Sequence, residues 1–453
     1  MAPPLHPVAR LAGEWRELCA EQGEPRFRAV QIFRWIHARG VTDPERMTDL
    51  PKALRQSLHD AGLGPPLSLE RSHASADGAR KLVLRATDGA LVETVLLPST
   101  APAARYDADA AAAEDGPEAP AAGEGQLQRP VRVTQCISTQ VGCAMGCVLC
   151  ASGAAGLVRH LGAEEIVAQV LLGREALAPG ETLRNVLCMG MGEPLHNYEA
   201  TARAIRLLTD ADGLALAPRR VTVSTAGLVP EIERLDRDFD GQVGLAVSLH
   251  AGRDETRRKL SPIGRRYPLG ELVAALGRYH LPARRKITIE YTLVGGLNDS
   301  PEEARALCRL LRDLRVRVNL IPLNPIADCS LRPPPPRVVA AFQALVMQEG
   351  YLCFVRRRRG DDVSAACGQL ALAIAGRKRR PHAPADRPAR KAPARKAPAR
   401  SAPTRNAPAR SVPARKAPTR DAPARSAPAR GASERREPAR GGRPVLRRNR
   451  GQH

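Results

Sequence analysis

Residues 136–153 read "CISTQVGCAMGCVLCASG" and put four of the ten cysteines into fifteen positions. The stretch follows a short apolar strand pattern, "VRVTQC", and contains two turn-forming glycines before the third closely spaced cysteine. Cys143, Cys147 and Cys150 have the spacing Cys-x3-Cys-x2-Cys. Thiolates on so short a loop can converge on one face of an iron–sulfur cluster, which ordinarily takes four cysteines. Three ligands leave one iron open. A structural zinc site with Cys136 as fourth ligand is the competing reading, although such sites usually pair Cys-x2-Cys knuckles.

From Val131 onward, apolar strands alternate with amphipathic helices such as "EIVAQVLLGREAL". The strands are "VRVTQCIST", "LRNVLCMGM", "RRVTVSTAG", "QVGLAVSLH", "KITIEYTLV" and "VRVNLIPLN". Repeated strand–helix units predict an α/β fold with a parallel sheet. Six units are too few for an eight-stranded barrel, so a partial, TIM-like (β/α)6 barrel is expected. Gly192-Glu193-Pro194, Ser224-Thr225, Ser248-Leu249-His250, Asn298-Asp299 and Asn324 all fall at strand carboxyl ends. In parallel barrels these ends surround the active site, so the five groups should ring one cavity. His250 has no partner at metal-ligand spacing.

Upstream, "RFRAVQIFRWIHARG" predicts a helix with Phe27, Val30, Ile32, Phe33 and Trp35 at helical spacing. "MTDLPKAL" predicts a second helix with Pro51 near its start. "KLVLRATDGALVETVLLP" predicts a hairpin turning at Asp88-Gly89. The expected organisation is a small helical and hairpin domain at 1–98, an acidic Ala/Pro-rich insertion at 99–130, a core at 131–376 and a tail at 377–453.

The net charge of +23 is unevenly placed: the tail carries 24 basic and 4 acidic residues, and the rest of the chain is only +3. An Arg recurs every five residues from Arg390 to Arg430, each two positions after a Pro. That composition prevents packed structure, so a disordered tail is expected. It reads either as a non-specific polyanion tether or as a solubilising extension without a selected role. No apolar run of signal-peptide or membrane-spanning length is present. A cytoplasmic protein is expected, and in that reducing compartment clustered cysteines suggest a metal or reactive centre.

Cys-x3-Cys-x2-Cys resembles the signature of radical S-adenosylmethionine (SAM) enzymes, and "GMGEP" at Gly190–Pro194 resembles their motif for the cofactor's amino group. More narrowly, "QCISTQVGCAMGCVLCASG", "GMGEPLHNY", "VTVSTAG", "VSLHA", "IPLNP" and "RGDDVSAACGQL" resemble the bacterial dual-specificity adenine-C2 RNA methyltransferases, the RlmN family. "FRAVQIFRWIH" and "MTDLPKALR" resemble that family's N-terminal RNA-contact domain. The resemblance covers residues 26 to 375, excluding the insertion.

The resemblance implies one 4Fe–4S cluster on Cys143, Cys147 and Cys150. It implies two SAM molecules per methylation, contacted through Gly192, Glu193, Ser224, Ser248, Leu249, His250 and Asn324. The implied substrates are 23S rRNA and tRNA, methylated at carbon 2 of adenosine. That carbon is electron-poor and offers no lone pair for attack on a sulfonium methyl, so a sulfur-stabilised carbon radical is the implied route. Cys367 would become S-methylcysteine, lose a hydrogen atom to a 5′-deoxyadenosyl radical and add to adenine. Glu93 would accept the ring proton. Cys136 would resolve the adduct through a transient disulfide with Cys367.

A flavodoxin or ferredoxin electron donor and a monomeric state are also expected, with no membrane partner. The related carbon-8 methyltransferases use cysteines in the same roles and are the alternative. A non-catalytic RNA-binding protein with a structural metal would need none of Glu93, Cys136 and Cys367. The remaining cysteines, Cys19, Cys188, Cys308, Cys329 and Cys353, read as packing residues. Two departures from the family pattern bear on substrate fit: "CASGAAG" is less polar than usual, and Gly252 stands where Pro is commoner.

Overall fold

A computed structural model describes residues 5–99, 130–326 and 329–370. The expected tail, and the expected insertion except for its end residues, lie outside the described residues. The N-terminal segment forms α1 (Ala12–Glu21), α2 (Arg26–Phe33) and α3 (Lys52–Asp60). Pro51 is the N-cap of α3, where its missing N–H costs no helical hydrogen bond. A wider turn over Arg34–Ala38 extends α2 and keeps Ile36 buried with Ile32 and Phe33. Phe27 does not share that face. It is 55% exposed and lies under the Arg28 guanidinium.

The same turn buries His37 completely, and among the described residues neither of its ring nitrogens has a hydrogen-bond partner. Burial lowers its pKa to about 4. Below about pH 6.5 the unfolded chain binds a proton here that the folded chain refuses. Stability therefore falls as the pH drops from about 6.5 toward 4, by about 2 kcal/mol at pH ~5 from this group. His250 acts in the same direction, its pKa lowered to about 3 by burial and by Arg257. Replacing His37 with Leu should remove its share of the acid loss, read as urea midpoints near neutrality and near pH ~5.

Three antiparallel strands follow: β1 (Leu67–Ala74), β2 (Arg80–Ala86) and β3 (Leu91–Pro98). The β2–β3 turn uses Gly89 at φ +83°, with its N–H on the Ala86 carbonyl. β1 was not anticipated, because its alternation in "LSLERSHA" is mostly polar and exposed.

After the insertion come β4 (Val131–Cys136), β5 (Gln140–Val141), α4 (Ala151–Ala155), β6 (Arg159–His160) and α5 (Ala163–Glu175). Strand–helix alternation continues through β7 (Glu181–Cys188), α6 (Tyr198–Thr209), β8 (Val221–Thr225), α7 (Val229–Phe239) and β9 (Gly244–Ser248). Two helices, α8 (Asp254–Leu260) and α9 (Leu269–Arg278), lead to β10 (Ile287–Leu293). The series closes with α10 (Pro301–Leu310), β11 (Val316–Pro322), α11 (Pro336–Gln348) and β12 (Cys353–Val355).

The main sheet has the order β1-β2-β3-β4-β7-β8-β9-β10-β11-β12, parallel from β4 onward. Its six principal parallel strands are those expected, and its edges, β1 and β12, do not pair with each other. The barrel is therefore open. β12 adds a short seventh parallel strand, too brief at three residues to leave an alternation pattern. β3 pairs antiparallel with β4 across the insertion, so the hairpin and the barrel share one sheet. The N-terminal helices also join the barrel's packing. Trp15, Ile32 and Phe33 share an apolar cluster with Ile166, Val170 and Leu207 from α5 and α6.

Candidate active site

The loop that follows β4 is pinned at its base by the antiparallel pair β5–β6. Its inner turns depend on close backbone approach. A Cβ at Gly153 would lie 2.9 Å from the Cys147 backbone N and O, so α4 can fold back on the cysteine loop only without a side chain there. The Val148 N–H donates to the Leu260 carbonyl at 3.0 Å, and the Ala151 N–H donates to the Gly368 carbonyl at 2.7 Å. Cys143, Cys147 and Cys150 consequently line one cavity.

Burial pushes all three thiols up, Cys147 to about 11, and neighbouring cysteines push the same way. The Ser261 hydroxyl, 3.2 Å from Cys147 Sγ, pulls in the opposite direction. One buried and two half-buried thiols, all with raised pKa values, make a donor set that gains most from a polycationic centre. Among the described residues, no three His, Cys, Asp or Glu side chains converge as ligands of a single ion. A cuboidal cluster makes no such demand, since each thiolate takes a different iron.

The strand ends ring the cavity largely as expected. Gly192, Glu193, Ser224, Ser248, His250 and Asn324 are in its wall. Gly192 has φ +104°, and a Cβ there would lie 2.6 Å from Gln140 Cβ, so this position requires glycine. The Glu193 carboxylate accepts from the Ala226 and Leu195 N–H groups at 2.7 and 3.1 Å, and burial raises its pKa to about 7. His250, held at φ +60°, accepts the Thr292 N–H at Nδ1 from 3.0 Å. Being neutral, it presents Nε2–H as a donor.

Four expected residues, Pro194, Leu249, Asn298 and Asp299, are not in the cavity wall. Leu249 is fully buried in the apolar core, its N–H on the Glu290 carbonyl and its carbonyl on Arg257. Asn298 is spent on structure: its amide holds the His250 and Thr292 carbonyls and accepts the Val294 N–H. Thr292 lines the cavity in its stead.

Cys136, at the end of β4, and Cys367 both line this cavity. Burial raises the Cys136 pKa strongly; nearby Cys367 adds to the rise and Arg356 opposes it. Cys367 is exposed, and its carbonyl accepts from Asn324 Nδ2 at 2.9 Å. Glu93 is not in the cavity wall. It lies on the same face of β3 as the lining residues Val95 and Leu97, one pleat earlier. Far from facing outward, as a lone strand glutamate would, its side chain is 1% exposed and pairs with Lys81 Nζ at 3.2 Å. Lys81 is also 3.5 Å from the carbonyl of Ser364, on the Cys367 loop.

The comparisons with known proteins agree with this geometry. Residues 12–62 match the family described as ribosomal RNA large subunit methyltransferase N-terminal domain, and residues 137–311 match the radical SAM superfamily. The dual-specificity RNA methyltransferase RlmN of Sorangium cellulosum (strain So ce56) is 64% identical over 82% of this chain and 96% of its own length. The chain belongs to the RlmN family of radical SAM RNA methyltransferases. The RlmN of Geobacter sulfurreducens is 44% identical over 77% of this chain and 87% of its own. A crystal structure of a radical SAM methyltransferase from Sphaerobacter thermophilus superposes with a TM-score of 0.70 at 42% identity. It covers 81% of this chain and 99% of that one.

As a member of the RlmN family the protein is a SAM-dependent RNA methyltransferase, and the superfamily uses an iron–sulfur cluster. The cavity suits both groups. Besides the cysteine triplet, it holds two buried acceptors, Asn324 Oδ1 and Glu290 Oε2, without hydrogen-bond partners among the described residues. Those acceptors suit a ligand with amino and adenine N–H groups, as SAM has. Glu290 was missed from the sequence. Its signal is a carboxylate in the middle of "ITIEYTL", a strand buried at all seven positions. Cys188, read as a packing residue, is buried but also forms part of the wall.

The two departures from the family pattern have local accounts. A Cβ at Gly252 would lie 2.4 Å from the Leu307 N of α10, so helix packing requires the glycine. The small residues of "CASGAAG" permit the fold-back at Gly153.

Proposed function

We propose that the protein methylates carbon 2 of one adenosine in 23S rRNA and of one beside the tRNA anticodon, with Cys367 carrying the one-carbon unit. The observation that carries this reading is the presence of two further cysteines, Cys136 and Cys367, in the wall shared with the cysteine triplet. A methyltransferase acting by simple substitution needs neither.

In this reading Cys143, Cys147 and Cys150 hold the 4Fe–4S cluster, and Gly192, Glu193, Ser224, Ser248, His250 and Asn324 surround SAM, with Leu249 anchoring in the core the turn that presents Ser248 and His250. When bound, these groups supply one-electron activation of a methyl C–H bond, which no side chain in the cavity can provide. Cys367 attacks the SAM methyl as a thiolate; the new S–C bond forms as the sulfonium C–S bond breaks, S-adenosylhomocysteine leaves, and Cys367 becomes S-methylcysteine, its exposure allowing both methyl donor and RNA to reach Sγ. The activated carbon then joins Cys367 to adenine.

Glu93, after leaving or loosening its pair with Lys81, takes the proton from carbon 2, and as the ring becomes aromatic again it gives up one electron to the one-electron carrier that the bound groups would supply. Cys136 attacks Cys367 Sγ. An S–S bond forms, the C–S bond breaks, and its electron pair goes to the carbon, which becomes a methyl group on taking up a proton. A two-electron thiol reductant resets the Cys136–Cys367 disulfide. Two SAM molecules are consumed per methyl delivered, and a flavodoxin or ferredoxin supplies electrons to the monomeric enzyme in the cytoplasm. Residues 1–98 act as the accessory RNA-contact segment, 99–130 as an insertion, 131–376 as the catalytic core and 377–453 as a polyanion-attracting tail. No helix among the described residues is long and apolar enough to cross a membrane.

The test is nucleoside mass spectrometry on rRNA and tRNA from cells lacking 2-methyladenosine that express this protein or its Cys367→Ala variant. The expected result is 2-methyladenosine in both RNAs with the intact protein alone. Formation of 8-methyladenosine would overturn the regiochemistry, and absence of both products would overturn the reaction.

A further inference from the structure

A second cleft adjoins the cavity and shares Asn324, Arg356 and Cys367 with it. Its floor is apolar, formed by Leu97, Pro98, Ile321 and Pro322, and the four consecutive arginines Arg356–Arg359 line it with no acidic side chain among them. Three of these arginines have partners. Arg356 Nη1 lies 3.9 Å from Glu290. Arg358 donates to the Leu323 carbonyl at 3.1 Å and lies 3.5 Å from Asp361. Arg359 binds the Asp77 carboxylate at 3.1 Å and the Pro98 carbonyl at 3.2 Å. Arg357 is exposed and makes no hydrogen bond or ion pair among the described residues.

The partnered arginines tie the cleft to β10 and to the β1–β2 turn and hold its shape. Arg357 keeps its donors for something else. An apolar floor with a cationic rim suits a nucleotide, with sugar and base over the floor and phosphate on the rim. The cleft opens beside Cys367, so whatever occupies it is continuous with what that sulfur reacts with. This favours the RNA strand over a separate acidic partner.

We propose that the cleft seats the nucleotide next to the target adenosine and that Arg357 holds its phosphate. The proposal rests on the RNA-methylation reading and adds a phosphate subsite to it. A contact of this kind sets the register of the strand, so that the adjacent base enters the cavity over Cys367.

The test is a double-substitution cycle on the full chain, read by fluorescence anisotropy with a tRNA anticodon stem-loop. One change is Arg357→Gln. The other is a neutral methylphosphonate in place of a phosphate flanking the target adenosine. Each change alone should weaken binding by about five- to tenfold, the worth of one charge-assisted hydrogen bond at a partly exposed site. Together they should cost no more than either alone, because they remove the same contact. Arg357→Gln should also lower the slope of log K against log salt by about one. The basic tail contributes equally to every arm and cancels.

If the two penalties multiply at both flanking linkages, or if Arg357→Gln has no effect on binding, the subsite is overturned. Binding is read without turnover. A coupled cycle together with absent 2-methyladenosine would therefore sustain the subsite while removing the proposed reaction.

Discussion

Cys136→Ala is expected to leave the enzyme covalently joined to its RNA, with turnover lowered on the order of a thousandfold or more. In the proposed route nothing else in the cavity wall is placed to attack Cys367 Sγ: Cys143, Cys147 and Cys150 are committed to the cluster, and Cys188 is buried within β7. Removal of the resolving thiol should thus stop the reaction at the thioether. A ribonuclease-sensitive band on a denaturing gel reads the adduct. The Cys136→Ala/Cys367→Ala double variant should give none, because the sulfur that joins RNA is gone. Multiple turnovers by Cys136→Ala at near wild-type rate would remove Cys136 from the mechanism.

Lys81→Met is expected to destabilise the fold by about 3–5 kcal/mol, the usual cost of removing one member of a buried ion pair. The two side chains are 3% and 1% exposed and 3.2 Å apart, so water cannot replace the ammonium. Lys81→Met combined with Glu93→Gln should recover most of the loss, since it removes the opposing buried charge as well. Urea unfolding of the three variants measures this. A single-variant cost under about 1 kcal/mol would mean that the pair behaves like an exposed one. Lys81 also touches the Cys367 loop through Ser364, so the Lys81 variant should release adduct more slowly wherever it remains folded.

The strand–helix alternation was legible because each unit needs only local pattern: apolar strands buried by amphipathic helices. The cysteine triplet was legible for the same reason, its ligands lying within eight residues of one another. The six parallel strands were met in the order expected. β1 and β12 were not, the first because its exposed face reads as polar loop and the second because three residues carry no period. Leu249 and Asn298 sit at strand ends as expected, yet the turn at His250 sends the Leu249 side chain into the core, and Asn298 satisfies the carbonyls that the turn exposes. Neither outcome has a local sequence signal.

Residues 136–153 and the alternation after them determined, without coordinates, an open parallel barrel with a cysteine-lined loop at its carboxyl end. The resemblance named Glu93, Cys136 and Cys367, and the tertiary structure decided how each stands to that loop. Glu93 and Lys81 come from a hairpin, Cys136 from the first barrel strand and Cys367 from a loop more than two hundred residues later. Cys136 and Cys367 share the cavity wall, with the Glu93–Lys81 pair outside it, because β3 pairs with β4 and the Cys367 loop returns to the β1–β2 turn through Asp77 and Asp362. Backbone pairing between distant strands and buried charge pairing are non-local. Short-range periodicity reports which face a residue occupies, and only the closed path of the chain reports what stands opposite.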